Sequence, residues 1–218
     1  HDEAYTATVF SPSLFYAMTN YHAPNNQVLH TILVHFSTAA FGFQTWSVRL
    51  PAFLAGTMII PAAYWLGKEM YDRYSALLAA VLIAWWPIQV GYSTNARGYS
   101  LVALLSLMVF WMGLIVRREK NLVGWLLIVL LSALGFYAVP VMLFPFGILF
   151  VWLFLDNLVA VPGLGYRSKW AFIKYWTYAG LGAALLTYVL YSPIFIYGGM
   201  MQFFQSGIQN PFNQALLL

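Results

Sequence analysis

The sequence contains no cysteine, which excludes disulfides and thiolate metal sites and leaves the compartment open. Charge is nearly as scarce. Asp, Glu, Lys and Arg together make up 7% of the 218 residues, against roughly 25% in an ordinary soluble domain. So few charges cannot dress a water-facing surface, and a soluble globular class is excluded. Between positions 4 and 48 there is no charged side chain at all. No signal-peptide pattern opens the chain, which starts on His1 and stops as a new apolar run begins at positions 215–218. It reads as part of a longer protein, incomplete at both ends.

What is present is apolar. Hydrophobic residues make up 62% of the chain, and the mean hydropathy is +0.74. The long runs are rich in Leu, Ala and Gly rather than alternating, which favours membrane helices over an outer-membrane barrel. The expected class is all-α: a polytopic integral membrane bundle with short interfacial helices in its first external loop.

Taken in order, Ser11-Pro12 suggests a helix start, with Ser as cap and Pro in the first turn, over about 12–20. Positions 21–26 read as loop. The run 28–41 is too short to span comfortably and suits an interfacial helix. Spans are expected at 50–67, 74–91, 99–116 and 175–197. The uncharged stretch 121–155 would be about 52 Å long as one helix, well beyond a hydrocarbon core of about 30 Å. Pro140 and Pro145 mark its break into a hairpin of two spans. Two regions follow: an external loop with juxtamembrane helices over 1–48, and a bundle of about six spans over 49–218.

The few charges orient the bundle. Lys68, Arg73, Arg117, Arg118, Lys120, Arg167, Lys169 and Lys174 fall in alternate loops. Only Arg49 and Arg97 lie on the other side. The positive-inside rule makes the first side cytoplasmic. The pI of about 9.3 follows from these loops and needs no nucleic-acid partner. A multi-pass protein of the plasma membrane, or of the inner membrane in a prokaryote, is expected, with membrane lipids as its surroundings.

Asp2, Glu3, His22, Asn26 and Arg97 then share the non-cytoplasmic side. Asp2-Glu3 reads either as a solvated acidic pair or as a general base facing an acceptor hydroxyl, with its neighbour positioning it or holding a divalent metal. Arg97 precedes the span at 99–116, where a guanidinium and a helix N-terminus together suit a phosphate. The alternative is a headgroup contact, or a pair with Asp2 or Glu3. His22 could orient a substrate or bind a metal. His30 and His35 are five apart, which is not the spacing of a helical metal pair, and both read as interfacial. Glu69, Asp72, Glu119 and Asp156 read as solvated loop charges.

Four segments in this order resemble the dolichyl-phosphate-mannose protein mannosyltransferase family of GT-C glycosyltransferases. They are Asp2-Glu3-Ala4-Tyr5, Pro24-Asn25-Asn26-Gln27-Val28-Leu29, Val48-Arg49-Leu50-Pro51-Ala52 and Tyr92-Ser93-Thr94-Asn95-Ala96-Arg97-Gly98-Tyr99. The resemblance covers about 1–120. It departs from the family pattern at Gln27, where His is common, and at Asn95, where an acid is common. It implies a sugar donor carried on a polyprenyl phosphate, with inverting transfer outside the cytoplasm to a protein, lipid or polysaccharide acceptor. By analogy Asp2 is the base, Glu3 its neighbour and Arg97 the phosphate ligand, with His22, Asn26, Tyr92 and Tyr99 also binding substrate. The rival readings are a transporter or lipid flippase, and a non-enzymatic scaffold. The first lacks support from charges near mid-membrane, since the expected spans carry none, and the second would leave the Asp-Glu and Ala-Arg-Gly-Tyr patterns as accidents.

Overall fold

A computed structural model describes residue 8 and residues 11–20, 26–159 and 169–198. Among these the protein is helical and contains no strand. The helices are α1 (Leu14–Thr19), α2 (Val28–Phe41), α3 (Thr45–Met70), α4 (Arg73–Trp85), α5 (Pro87–Ser93), α6 (Tyr99–Arg118), α7 (Leu122–Ala138), α8 (Leu143–Val159) and α9 (Lys169–Gly198), with a 3-10 turn at Pro140–Met142 before α8.

Several expected boundaries move, each for a local reason. The α1 cap is Ser13, whose Oγ accepts the Tyr16 N–H at 3.3 Å; Ser11-Pro12 forms the turn before it. Helix α3 begins five residues before the expected span because Gln44 and Ser47 form a reciprocal capping box ahead of it. It therefore contains Arg49, Pro51 and Pro61. The span expected at 74–91 is broken. Pro87 has no N–H to continue a helix and disfavours helical backbone at Trp86, which is extended at φ −71°, ψ 116°. Helices α4 and α5 consequently meet at a bend of 63°. In the hairpin only Pro140 breaks the chain. Pro145 lies in the first turn of α8, where a backbone N–H has no intrahelical partner to lose. Helix α9 starts at Lys169, so Lys169 and Lys174 are helical.

Four segments are each long and apolar enough to cross a membrane: Thr45–Met70, Tyr99–Arg118, Pro140–Val159 and Lys169–Tyr197. The bent α4–α5 pair makes five. The remaining expected span, the first arm of the hairpin, is α7, a shorter apolar helix of 17 residues, at the lower end of the length that spans. The protein is thus a multi-pass helical membrane protein.

The main core lies between α6, α7, α8 and α9, where Val109, Ile128, Leu149 and Leu153 are wholly buried. Large apolar side chains such as Leu54, Met58, Leu181 and Leu185 point outward, as lipid-facing surfaces require. On α2 the buried residues Val28, Thr31 and Val34 form a helical stripe together with His30. His30 is 1% exposed, so the expectation of an interfacial histidine is overturned. It faces the turn before α6 rather than the surface, and its Cβ would lie 3.3 Å from a Cβ at Gly98. His35 is half-buried and its Nδ1 lies 2.6 Å from the Ser11 carbonyl, which ties α2 to the segment before α1.

The end of the bundle that carries the basic loops is stapled by charge. Arg118 donates to the Glu69 carboxylate at 2.7 Å and to the Glu69 carbonyl at 2.9 Å, joining α6 to α3. Arg117 donates to Asp156 at 2.8 Å, joining α6 to α8, and lies over the Trp152 ring. Glu69 and Asp156 are therefore paired rather than simply solvated. As exposed pairs they add at most about 1 kcal/mol each, but they fix which helix ends meet. Asp72 caps α4, accepting from Tyr74 N at 2.7 Å, Ser75 N at 3.1 Å and Ser75 Oγ at 2.7 Å.

The Ser75 hydroxyl, followed by the two N–H groups, holds the Asp72 carboxyl below its ordinary value of 3.8. A depressed carboxyl pKa stabilises the fold above the unfolded value, and that contribution is lost as pH falls through the lower folded value. The Tyr74 and Ser75 amides should therefore stay protected at neutral pH and lose hydrogen-exchange protection below about pH 3.8. In Asp72→Asn this acid transition should be absent.

Candidate active site

At the end of the bundle away from the basic staples, the chain enters α6 through Asn95-Ala96-Arg97-Gly98. Gly98 is the N-cap residue and has no side chain with which to cap the helix. The cap comes from elsewhere: the Gln27 side-chain carbonyl accepts the Gly98 N–H across a separation of 71 residues. A Cβ at Gly98 would lie 3.1 Å from that oxygen, so the close approach favours glycine. Ala96 is buried with Val34 of α2 and Val48 of α3, and the Arg97 N–H donates to the Asn95 carbonyl at 2.7 Å. The turn is thus pinned on both sides of Arg97.

This pinning assembles three of the expected residues. The Arg97 guanidinium carbon lies 5.9 Å from the Tyr99 ring centre. The Tyr92 and Tyr99 rings are 5.1 Å apart at an interplanar angle of 39°. Arg97 and Tyr99 are half-buried, and Tyr92 is exposed. A guanidinium over aromatic rings at the N-terminus of a 20-residue helix is an electropositive, partly dry surface suited to a phosphate.

Asn26 is placed differently. It is 2% exposed. Its Nδ2 donates to the Ala17 carbonyl at 3.0 Å and to the Asn20 carbonyl at 2.6 Å. Its Oδ1 accepts from Thr31 Oγ1 at 3.2 Å. The amide is engaged with its own chain, holding the end of α1 against the start of α2 next to Gln27. Asp2, Glu3 and His22 lie outside the described residues. Among the described residues no three His, Asp or Glu side chains converge as a metal site.

Gln27 and Gly98 were missed as a pair by reading the sequence. One signal was available: α6 begins without Ser, Thr, Asp or Asn at its cap, so a partner from another segment was required.

A helical bundle with several membrane spans and an arginine–tyrosine cluster at one end defines a class of polytopic membrane protein. The sequence profile of the dolichyl-phosphate-mannose-protein mannosyltransferase family matches residues 22–191. The chain belongs to this family of membrane glycosyltransferases. The match includes His22, Asn26, Tyr92, Arg97 and Tyr99 and begins after Asp2-Glu3. No curated protein and no solved structure matches the chain.

The Asn26 arrangement generates a stability prediction. Asn26→Ala would leave a buried carbonyl (Ala17) and a partly buried one (Asn20) without their donor, at a cost of about 2 kcal/mol. Unfolding of the detergent-solubilised protein should show that loss, whereas a solvent-facing asparagine would give almost none.

Proposed function

We propose that the protein transfers a sugar from a polyprenyl-phosphate carrier to an acceptor hydroxyl on the non-cytoplasmic side of the membrane, with inversion at the sugar. The observation that carries this reading is the Tyr92, Arg97 and Tyr99 cluster at the start of α6, at the end opposite the basic staples. An apolar groove of about 490 Å³ also supports it. Phe136, Pro140, Phe146, Tyr188, Tyr191 and Phe195 line it, between α7, α8 and α9 at the same end of the bundle, and an isoprenoid chain needs such a surface. The sidedness rests on the charge bias: the basic loops gather at the other end.

In this mechanism the donor phosphate sits against Arg97 and the N-terminus of α6. Asp2 takes the proton of the acceptor hydroxyl. The acceptor oxygen attacks the anomeric carbon as the bond from that carbon to the phosphate oxygen breaks. The polyprenyl phosphate leaves with the bonding electrons, and Arg97 stabilises its developing charge. A single displacement of this kind inverts the anomeric centre. Glu3 orients Asp2 or holds a divalent cation. His22 contacts substrate, and Asn26 acts indirectly by holding the loop that presents Gln27.

The test supplies membranes containing the protein with a panel of radiolabelled polyprenyl-phosphate sugars and follows label into protein, lipid and polysaccharide fractions. Label should move from one donor, and Asp2→Asn should lower kcat by about a hundredfold or more. Arg97→Gln should raise the donor KM by about tenfold or more, the scale of one charge-assisted hydrogen bond. Loss of transfer on EDTA treatment, restored by a divalent cation, would assign Glu3 to a metal. A folded protein that moves no label from any donor would refute the reading and return a transporter to the front.

A further inference from the structure

A second cavity opens beside the Arg97 turn, between the first turns of α3 and the end of α5. Its volume is about 600 Å³, within the range of small-molecule sites. Gln44, Trp46, Arg49, Phe53, Ser93 and Thr94 contribute to its lining. The bend at Trp86-Pro87 brings α5 across α3, and Gly56 allows the contact, since a Cβ there would collide with the Ser93 side chain.

The polar atoms in this cleft are complementary in kind. Ser93 Oγ donates its proton to the Val90 carbonyl at 2.8 Å, and Thr94 Oγ1 donates to Val90 and Gly91 carbonyls at 3.0 and 3.2 Å. Both hydroxyl protons are committed, so the two oxygens face a ligand as acceptors. On the α3 side the Gln44 side chain accepts the Ser47 N–H, which leaves its NH2 group as a donor. Trp46 lines the same cleft, is 54% exposed, and has its ring 5.4 Å from that of Phe41. An aromatic face carries partial negative charge and accepts the C–H face of a sugar ring. A donor on the α3 side, acceptors at the end of α5 and an exposed aromatic ring in the same lining suit a polyhydroxylated ring better than an acyl chain.

We infer that this cleft binds a sugar ring and that the acceptor of the reaction is a glycan. Its identification as the acceptor site rests on the function proposed above. The sequence order supports it, because Tyr92 belongs to the phosphate cluster while Ser93 and Thr94 line the cleft, so a donor and a glycan would meet across adjacent residues.

The experiment reads binding without a donor. The protein in lipid nanodiscs is mixed with mannotetraose, chitotetraose or maltotetraose, and saturation-transfer NMR follows each sugar, with glycerol 3-phosphate as a headgroup competitor. At least one tetrasaccharide should bind. Trp46→Leu and Thr94→Val should each weaken that binding at least fivefold with the unfolding midpoint unchanged, and glycerol 3-phosphate should not compete. Should Trp46→Leu fail to fold, Thr94→Val decides, since it exchanges an exposed hydroxyl for a methyl. No binding of any tetrasaccharide, binding undiminished in the variants, or displacement by glycerol 3-phosphate would overturn the inference. Sugar binding without transfer from any donor would sustain the cleft and remove the proposed function. Transfer without sugar binding would do the reverse.

Discussion

The hydrogen bond from Gly98 to Gln27 is the constraint on which the functional end of the molecule depends. A helix start leaves backbone N–H groups without intrahelical partners, to be met by side chains, water or ligands. Helix α6 has no capping side chain of its own at Gly98. Gln27 supplies the acceptor, and Gln27 is itself set by the neighbouring Asn26, whose amide gathers the end of α1 and the start of α2. One line of contacts therefore runs from α1 through Asn26 and Gln27 to the residue after Arg97. The departure from the family pattern at Gln27 acquires a physical account: a carboxamide oxygen reaches the backbone of the turn and leaves Arg97 oriented beside Tyr99.

Each end of the bundle has its own set of contacts among the described residues. One end is closed by direct ion pairs between helix termini, Arg118 with Glu69 and Arg117 with Asp156. These pairs span α3, α6 and α8 and set the height of the helices relative to one another. At the other end, neutral side chains and backbone supply contacts among the described residues: Gln27 with Gly98, Ser37 with the Ser47 carbonyl at 2.7 Å, and Tyr191 with the Phe136 carbonyl at 2.9 Å. Arg97 is held there through its backbone and its ring contact.

Periodicity and hydropathy made most of the helices legible. The boundaries of α2 and the start of α6 agree with what apolar runs and their flanking residues imply, because both depend on local chemistry. The capping box before α3 is written in Gln44 and Ser47, yet it resembles ordinary loop polarity until the helix is seen. The two prolines of the hairpin were indistinguishable by residue type. Only their place relative to a helix start separates Pro140, which breaks the chain, from Pro145, which sits harmlessly in a first turn. Contacts across long separations were not legible. Nothing local to His30 says that it packs against Gly98, and nothing local to Glu69 says that Arg118 is its partner. The Tyr92, Arg97 and Tyr99 grouping was visible because the three lie within eight residues, whereas the Gln27 contact that holds them comes from another helix.

The distribution of charge bears on transferase against transporter. A transporter concentrates polar groups near mid-membrane, commonly where helices are interrupted. This bundle has an interruption, the 63° bend between α4 and α5, so the comparison can be made at that point. The residues around it are Ala84, Trp85, Trp86, Pro87 and Ile88, which offer an ion or a polar cargo no charged ligand. Elsewhere in the described spans, Arg49, Lys68, Glu69, Arg117, Arg118, Asp156, Lys169 and Lys174 all lie within the first or last two turns of their helices. The bend instead carries the hydroxyls of Ser93 and Thr94 sideways onto α3, at the end where Arg97 lies. A break that brings no charge to mid-membrane and enlarges a polar surface at one end fits the proposed surface transfer better than transport.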